Sequence, residues 1–367
     1  MSGVRGFINP RARHANARGL FTGREYSDVR DYFTGRPDLR PTPLRSAARL
    51  AARSGVAAVE VKDESRRFGL SAFKILGVKY ALHRLQAQRM MVRTLVCATA
   101  GNHGRAVARA AREFNTTGVP CTVFVPAAGD MTEIERQTRA SRIEGMRSDD
   151  AHIVEFPGPY EEAVRAARAH ARAIDGVFFS DTAPDEWDPI PHWIMAGYTW
   201  MFDECAAQWT HPPDVVFVQA GVGGLACAAA SWFVHRFAGE RPYLIICEPE
   251  HAACLMASAQ QASGEPATIS GDARTFMAGL RCVTPSRSAW PTIRDSADAF
   301  VAVPDRLVRD TMGRLRDEDP AIEAGPSGAC GAASLIALAD APELAHVRSA
   351  CKLDRSTRVL TIVTEGP

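Results

Sequence analysis

Residues Gly69-Leu70-Ser71-Ala72-Phe73-Lys74 follow Lys62-Asp63-Glu64-Ser65 and place a lysine where a helix is predicted to begin, directly after a turn of small residues. A lysine amine in this position can form an imine with an aldehyde cofactor, provided that its surroundings keep it neutral for part of the time. Two later segments are predicted to serve the same cofactor, namely Thr99-Ala100-Gly101-Asn102-His103-Gly104 and Gly221-Val222-Gly223-Gly224-Leu225. The chain is therefore predicted to bind a cofactor through Lys74.

Helix-period and strand-like segments alternate along the chain, which predicts an α/β protein with largely parallel sheets. Strands are predicted at 56–61, 94–98, 121–125, 153–156, 177–180, 215–219, 243–247 and 359–363, and helices at 73–88, 105–114, 131–141, 160–173, from after Pro191 to about Gln208, and at 225–237. The simplest partition places a smaller domain at 84–185 inside a larger domain made of 1–83 and 186–367. Ligands of such proteins usually bind at the carboxyl ends of the strands.

Composition excludes several classes of function. The chain has 367 residues, 46% of them hydrophobic and 23% charged, which suits a globular enzyme with a large core. The formal net charge of +1 predicts neither a nucleic acid nor an anionic membrane as partner. The longest nearly apolar stretch, 217–234, contains three glycines and predicts a strand, a turn and a helix, not a membrane span. The arginine-rich N-terminus lacks a secretory apolar core, so we expect a cytoplasmic protein.

Cysteine spacing gives no sign of a metal site. The nine cysteines include no Cys-x-x-Cys and no paired His/Cys spacing, which argues against a zinc site and against a disulfide scaffold. We therefore expect no metal.

The glycine turn at 221–226 has two interpretations. Gly221-Val222-Gly223-Gly224-Leu225-Ala226 fits G-x-G-x-x-A after a predicted strand, and Glu248 ends the next strand, where a ribose-binding acid is expected. Taken alone, this pattern favours an NAD-dependent oxidoreductase. Consecutive backbone N–H groups at a helix N-terminus bind any phosphate, however, so the turn also suits other phosphorylated cofactors.

The complete set of motifs resembles fold-type-II pyridoxal-phosphate enzymes, and specifically the diaminopropionate ammonia-lyase family. The similar stretches are 62–74, 99–108, 180–198, 219–225, 248–254, 275–282 and 364–366. The resemblance implies two three-layer α/β domains, with the smaller inserted in the larger, and pyridoxal 5'-phosphate as the cofactor. It also implies a homodimer.

The resemblance assigns cofactor-binding roles residue by residue. Lys74 forms the covalent link, Asn102 contacts the ring hydroxyl, and Thr364 faces the pyridine nitrogen. The backbone N–H groups of Gly221, Val222, Gly223, Gly224 and Leu225 hold the phosphate.

Substrate binding and catalysis are assigned in the same way. The turn that contains Thr99, Gly101 and His103 presents donors to the substrate carboxylate, and Asp181 matches one of two family aspartates that act with the lysine. The second aspartate is replaced here by Ala100, whose methyl group cannot accept a proton. We therefore expect a carbon–nitrogen lyase that removes the β-amino group from one enantiomer of 2,3-diaminopropionate, or from a related β-substituted amino acid, giving pyruvate and ammonia.

Alternatives remain open at this point. Thr99-Ala100-Gly101-Asn102-His103 is also similar to the Ser-Ala-Gly-Asn-His turn of threonine and serine dehydratases, so a dehydratase or a β-replacement synthase is the nearest alternative. From other classes, the candidates are an NAD-dependent oxidoreductase and a catalytically silent binding homologue. Cys254 and Cys282 align with a cysteine pair typical of these lyases, and free thiols are an equal expectation in a reducing cytosol.

Overall fold

The computed structural model describes residues 3–12, 19–36, 38–114, 117–127, 129, 131, 133–182 and 188–367. The strands are β1 (Arg5–Ile8), β2 (Leu44–Ser46), β3 (Ala58–Asp63), β4 (Leu95–Ala98), β5 (Cys121–Pro126), β6 (Ala151–Phe156), β7 (Val177–Phe178), β8 (Val215–Gln219), β9 (Tyr243–Pro249), β10 (Ala299–Val303) and β11 (Arg358–Val363). The helices are α1 (Gly23–Thr34), α2 (Ala48–Ser54), α3 (Ile75–Ala87), α4 (Asn102–Arg112), α5 (Glu133–Ser148), α6 (Tyr160–Ala173), α7 (Pro189–Tyr198), α8 (Trp200–Gln208), α9 (Gly224–Phe237), α10 (Cys254–Ala259), α11 (Trp290–Ser296), α12 (Asp305–Arg316), α13 (Cys330–Asp340) and α14 (Ala345–Ala350).

The larger of two compact units comprises Met1–Phe73 and Tyr198–Pro367. In its described residues, one sheet has the strand order β1-β10-β9-β8-β11-β3-β2. The two edge strands are antiparallel to their neighbours, and the five central strands are parallel. Strand β8 reads Val-Val-Phe-Val-Gln and is buried along its whole length, as expected of a parallel strand that is covered on both faces.

The smaller unit comprises Lys74–Gly197 and contains a parallel sheet of the order β6-β5-β4-β7 in its described part. Helix α6 packs on β4 and β5 through Ala163, Ala167 and Ala171, which recur every four residues and are buried. This spacing places the three alanines on one helical face. The prediction of an α/β fold with largely parallel sheets is confirmed.

The unit boundaries differ from the predicted 84 and 185, and residue 185 lies outside the described residues. Helix α3 belongs to the smaller unit because it packs against α4. The end of α7 belongs there too, since a Cβ added at Gly197 would lie 2.8 Å from Cβ of Tyr80 on α3. The single helix predicted to end near Gln208 is two helices, α7 and α8, which are interrupted at Thr199.

The motif that precedes Lys74 is anchored in the larger unit by a buried ion network. Lys62 Nζ lies 2.6 Å from Oε2 of Glu204 on α8, and Arg67 Nη2 lies 2.5 Å from Glu64 Oε1 and 2.6 Å from Glu204 Oε2. Thr42 Oγ1 donates to Glu64 Oε1 at 2.6 Å. The four charged side chains are each at most 3% exposed. Two cations and two anions therefore balance within one buried cluster, and each depends on the others for its stability.

Removing one cation from this network should destabilise the fold. We expect Arg67→Met to lower the free energy of unfolding by about 3–5 kcal/mol, because the two buried anions, Glu64 and Glu204, would keep only one cation of the network, Lys62. Urea denaturation followed by circular dichroism measures the change. The matched control is Arg66→Met at the exposed neighbouring position, where a change within about 0.5 kcal/mol is expected. Equal effects of the two substitutions would contradict the role of the network.

Candidate active site

Lys74 and Asp181 form an ion pair in the smaller unit, although 107 positions separate them in the chain. Lys74 is the N-cap residue of α3, and its Nζ donates to Asp181 Oδ2 at 2.6 Å. Asp181 follows β7, and the two side chains are 25% and 18% exposed. Burial alone would raise the pKa of Asp181, but the charge of Lys74 and the nearby His103 hold that pKa well below its ordinary value. A charged carboxylate thus lies beside the predicted reactive amine.

His103 faces this ion pair from α4. Its Nε2 lies 3.2 Å from the carbonyl oxygen of Phe179, and its Nδ1 lies 3.9 Å from Asp181 Oδ2. Burial lowers the pKa of His103, with the charge of Asp181 acting in the opposite direction. The structure therefore directs this side chain towards Asp181, a contact that the sequence motif alone did not predict.

The turn at 99–102 connects β4 to α4. The N–H of Gly101 donates to Thr99 Oγ1 at 3.0 Å, so the hydroxyl of Thr99 already engages this donor. Gly101 is the N-cap residue of α4, no side chain caps this helix, and Asn102 is its first residue. Ala100 is partly exposed beside them and contributes only a methyl group.

The glycine turn of the larger unit leaves backbone donors available at a helix N-terminus. It follows β8 and opens α9, and Gly223 adopts a left-handed conformation with φ of +104°. The turn is held in place by Val222, whose carbonyl oxygen accepts from Ser286 N at 2.8 Å. Within the described part of the chain, the N–H groups of Gly221 to Leu225 have no hydrogen-bond partner. This cradle of unpartnered donors fits a phosphate group.

Thr364 is buried at the end of β11, where its hydroxyl oxygen accepts from Gln219 Nε2 at 3.0 Å. Gln219 Nε2 also lies 2.8 Å from the carbonyl oxygen of Ile362. Because the Thr364 oxygen already accepts, its hydrogen can be donated to a neutral acceptor such as a pyridine nitrogen. The sequence motifs did not single out Gln219 for this role, although a polar residue at the end of an apolar strand is the signal that could have found it.

Comparisons with known proteins point to the same cofactor that the sequence motifs predicted. The family model described as pyridoxal-phosphate dependent enzyme matches residues 36–364. The diaminopropionate ammonia-lyase of Salmonella typhimurium is 32% identical over 95% of this chain and 91% of its own length. The chain belongs to the diaminopropionate ammonia-lyase family.

Solved structures support the same membership. A crystal structure of the Escherichia coli diaminopropionate ammonia-lyase, in complex with an aminoacrylate-PLP azomethine reaction intermediate, has a TM-score of 0.87 and 29% identity and covers 99% of this chain and 94% of that one. A second crystal structure of that enzyme, in complex with D-serine, has the same score, identity and coverage. Pyridoxal phosphate is the cofactor of this family, as the sequence motifs predicted, and the fold-type-II assignment is confirmed.

Glu248 does not have the role of a ribose-binding acid, which the dinucleotide interpretation required. Its two carboxylate oxygens accept from the backbone N–H groups of Leu255 at 2.7 Å and Met256 at 2.8 Å, at the start of α10, and the residue is fully buried. Burial raises the pKa of Glu248 to about 8. The ribose-binding role of the dinucleotide interpretation does not suit this side chain, because it is fully buried and both oxygens accept from the start of a helix. Membership of the lyase family removes the oxidoreductase alternative as well.

The cysteines near the glycine turn are thiols in this structure. Cys254 Sγ lies 3.6 Å from the carbonyl oxygen of Gly221, burial raises the pKa of its thiol, and no disulfide joins it to Cys282.

Among the described residues, no cluster of three or more His, Cys, Asp or Glu side chains could bind a metal ion. In the same part of the chain, no helix combines the length and apolarity needed to cross a membrane.

The left-handed residue of the glycine turn can be tested by substitution. We expect Gly223→Ala to lower the free energy of unfolding by about 1–3 kcal/mol, because alanine is strained at this φ and its Cβ would lie 2.6 Å from Ile293 Cδ1. Chemical denaturation measures the loss. Gly239→Ala is the control, since a Cβ there would meet no atom within 4 Å and its φ is not positive. An unchanged Gly223→Ala variant would contradict the strain.

Proposed function

We propose that this protein removes the β-amino group of L-2,3-diaminopropionate and, with uptake of water, releases pyruvate and ammonia. The observation that carries the proposal is the contact of 2.6 Å between Lys74 Nζ and Asp181 Oδ2, because elimination needs a base for the Cα proton and an acid for the leaving nitrogen. The names of the curated relatives support the substrate. The family resemblance also supports a homodimer.

The roles of the cofactor-binding residues follow from the donors that they offer. Pyridoxal phosphate, when bound, supplies an aldehyde for covalent attachment of an amine and an electron sink for the charge left at Cα. We assign Lys74 to the covalent attachment, the N–H groups of 221–225 to the phosphate, Asn102 to the ring hydroxyl and Thr364 to the pyridine nitrogen. A neutral threonine hydroxyl cannot keep that nitrogen protonated as a carboxylate would, which favours loss of a β-substituent over transamination.

Lys74 and Asp181 together can transfer the protons of this elimination. Lys74 first passes a proton to the Asp181 carboxylate and becomes a neutral amine. The amine then accepts the Cα proton of the substrate, while the Asp181 carboxyl group gives its proton to the departing β-amino nitrogen. One C–H bond, one C–N bond and the O–H bond of Asp181 break, while two N–H bonds and the Cα–Cβ double bond form, so the original ion pair is restored at the end of the cycle.

Of the two aspartates in the family pattern, this chain retains only the one at Asp181. Ala100 occupies the position of the second aspartate, and a methyl group cannot accept the Cα proton of the opposite enantiomer. We therefore assign the activity to one enantiomer, the L form. A hydroxyamino-acid dehydratase is the second candidate, because the turn with Ala100 is similar to that of threonine and serine dehydratases.

The first test is a visible absorption spectrum of the purified protein before and after addition of L- or D-2,3-diaminopropionate, with pyruvate assayed in the same samples. We expect the cofactor band to shift and pyruvate to form with the L form alone. Turnover of L-serine or L-threonine at a higher kcat/KM would favour the dehydratase. Efficient turnover of both diaminopropionate enantiomers would reject the single-enantiomer proposal.

Restoring the missing carboxylate should broaden the enantiomer specificity. We expect Ala100→Asp to gain measurable pyruvate formation from the D form, because a proton acceptor is added at the position where the family has one. Ala100→Asn is the matched control, since an amide of nearly the same shape cannot act as a base. A gain with both variants, or with neither, would contradict the role given to position 100.

Asp181 should be required for turnover but not for cofactor binding. We expect Asp181→Asn to lower kcat for the L form by about 10²–10⁴-fold, the range typical of a general acid or base, while the bound-cofactor spectrum persists. Asp175→Asn is the control, because Asp175 is 82% exposed on the same unit and asparagine tolerates its positive φ. Retention of full activity in Asp181→Asn would remove Asp181 from the mechanism.

A further inference from the structure

The His103 imidazole has one engaged ring nitrogen and one without a hydrogen-bond partner. Nε2 lies 3.2 Å from the carbonyl oxygen of Phe179, and a carbonyl oxygen can only accept, so Nε2 carries the hydrogen. In a neutral ring, Nδ1 then has a lone pair and no hydrogen. Nδ1 is buried and has no hydrogen-bond partner among the described residues, and His103 as a whole is only 7% exposed.

This unpartnered nitrogen faces the ion pair described above. Nδ1 lies 3.9 Å from Asp181 Oδ2, the same oxygen that accepts from Lys74 Nζ at 2.6 Å. A lone pair therefore faces a carboxylate oxygen, and the separation exceeds the roughly 2.7–3.2 Å of a hydrogen bond. A proton added to Oδ2 would replace this unfavourable approach by an attraction, and an O–H···N hydrogen bond forms once the two atoms come about 1 Å closer.

We propose that His103 is a positioning residue that helps Asp181 to hold the proton given up by Lys74. The inference rests on the proposed function, in which Lys74 must be neutral before it accepts the Cα proton. In this step an N–H bond of Lys74 breaks and an O–H bond forms on Asp181, so an ion pair becomes a neutral pair. The new O–H group then donates to Nδ1 of His103.

The surrounding charges agree with this direction of transfer. The charged groups that act on His103 are Asp181, from the segment after β7, and Lys74, from the start of α3. The Cys97 thiol of β4 also faces Asp181, and burial raises its pKa, so it remains a neutral neighbour. Burial and Lys74 both disfavour a proton on His103, whereas Asp181 favours one. Once Lys74 loses its charge, the His103–Asp181 pair therefore gains affinity for a proton.

A measurement that needs no substrate tests this coupling. The full-length protein, labelled with ¹⁵N-histidine, is titrated with acid by NMR both without and with saturating pyridoxal phosphate, and the His103 signal is assigned by its loss in His103→Gln. We expect the Nε2–H tautomer in the wild type, a higher His103 pKa in Lys74→Met, and reversal of that rise in Lys74→Met/Asp181→Asn. An unchanged pKa in Lys74→Met, or an equal rise in the double variant, would overturn the proposal.

Turnover of the L form provides a second readout. In His103→Gln, the side-chain amide can still donate to the Phe179 carbonyl oxygen but offers no acceptor in place of Nδ1. We expect a loss of about 10–100-fold in kcat, the size expected for one hydrogen bond to a reacting group. The alkaline limb of the kcat–pH profile should move to lower pH, because the protonated form of Asp181 loses its acceptor.

Two variants separate this positioning role from a purely structural one. His103→Asn can present an oxygen near the position of Nδ1 and should recover part of the activity and of the pH profile. His170→Gln is the matched control, since His170 lies on α6 of the same unit and packs against Phe124. If the kcat–pH profile of His103→Gln keeps the limbs of the wild-type profile, the proposal is refuted. Wild-type protein that turns over no amino acid but shows the NMR shifts would reject the proposed substrate and leave the proton pair intact.

Discussion

The proposed chemistry of this protein depends on one interaction, the ion pair between Lys74 and Asp181. A solvated lysine is protonated at neutral pH and cannot act as a nucleophile or as a base. Partial burial beside Asp181 gives the amine a defined partner at 2.6 Å, to which a proton can move over a short distance. His103 Nδ1 lies 3.9 Å from the same carboxylate oxygen, so the proposed proton exchange involves three neighbouring side chains of the smaller unit.

The candidate functional groups occupy equivalent places in the two sheets. The turn that begins at Thr99 follows β4 and Asp181 follows β7 in the smaller unit, whereas the glycine turn follows β8 and Thr364 follows β11 in the larger. Each group therefore lies at the carboxyl end of a parallel strand, where open α/β sheets bind their ligands. The chemistry of the groups differs, since one sheet offers ionisable side chains and the other offers mainly backbone N–H groups and a hydroxyl.

Rigid supports surround these groups in the larger unit. The buried network of Lys62, Glu64, Arg67 and Glu204 fixes the segment that leads to the reactive lysine, and its charges balance only when all four are present. Gln219 performs a similar task for Thr364, because its amide nitrogen joins the ends of β8 and β11. Such supports contain no reactive group, yet they decide in which direction a hydroxyl can donate its hydrogen and where the chain turns.

The sequence alone determined the α/β class, most of the parallel strands and the cofactor, and it singled out Lys74 as the candidate lysine, because these depend on local periodicity and on motifs contiguous in the chain. It did not locate β10, whose five buried residues lack a distinguishing turn motif, or the boundary at Lys74, which depends on packing of α3 against α4. It left two interpretations of the region around Glu248, since the side chain of a strand-end acid shows its partners only when the chain is folded. The contact of His103 with Asp181 was likewise decided by the tertiary structure, because it joins residues far apart in the chain whose burial and distances are set by packing.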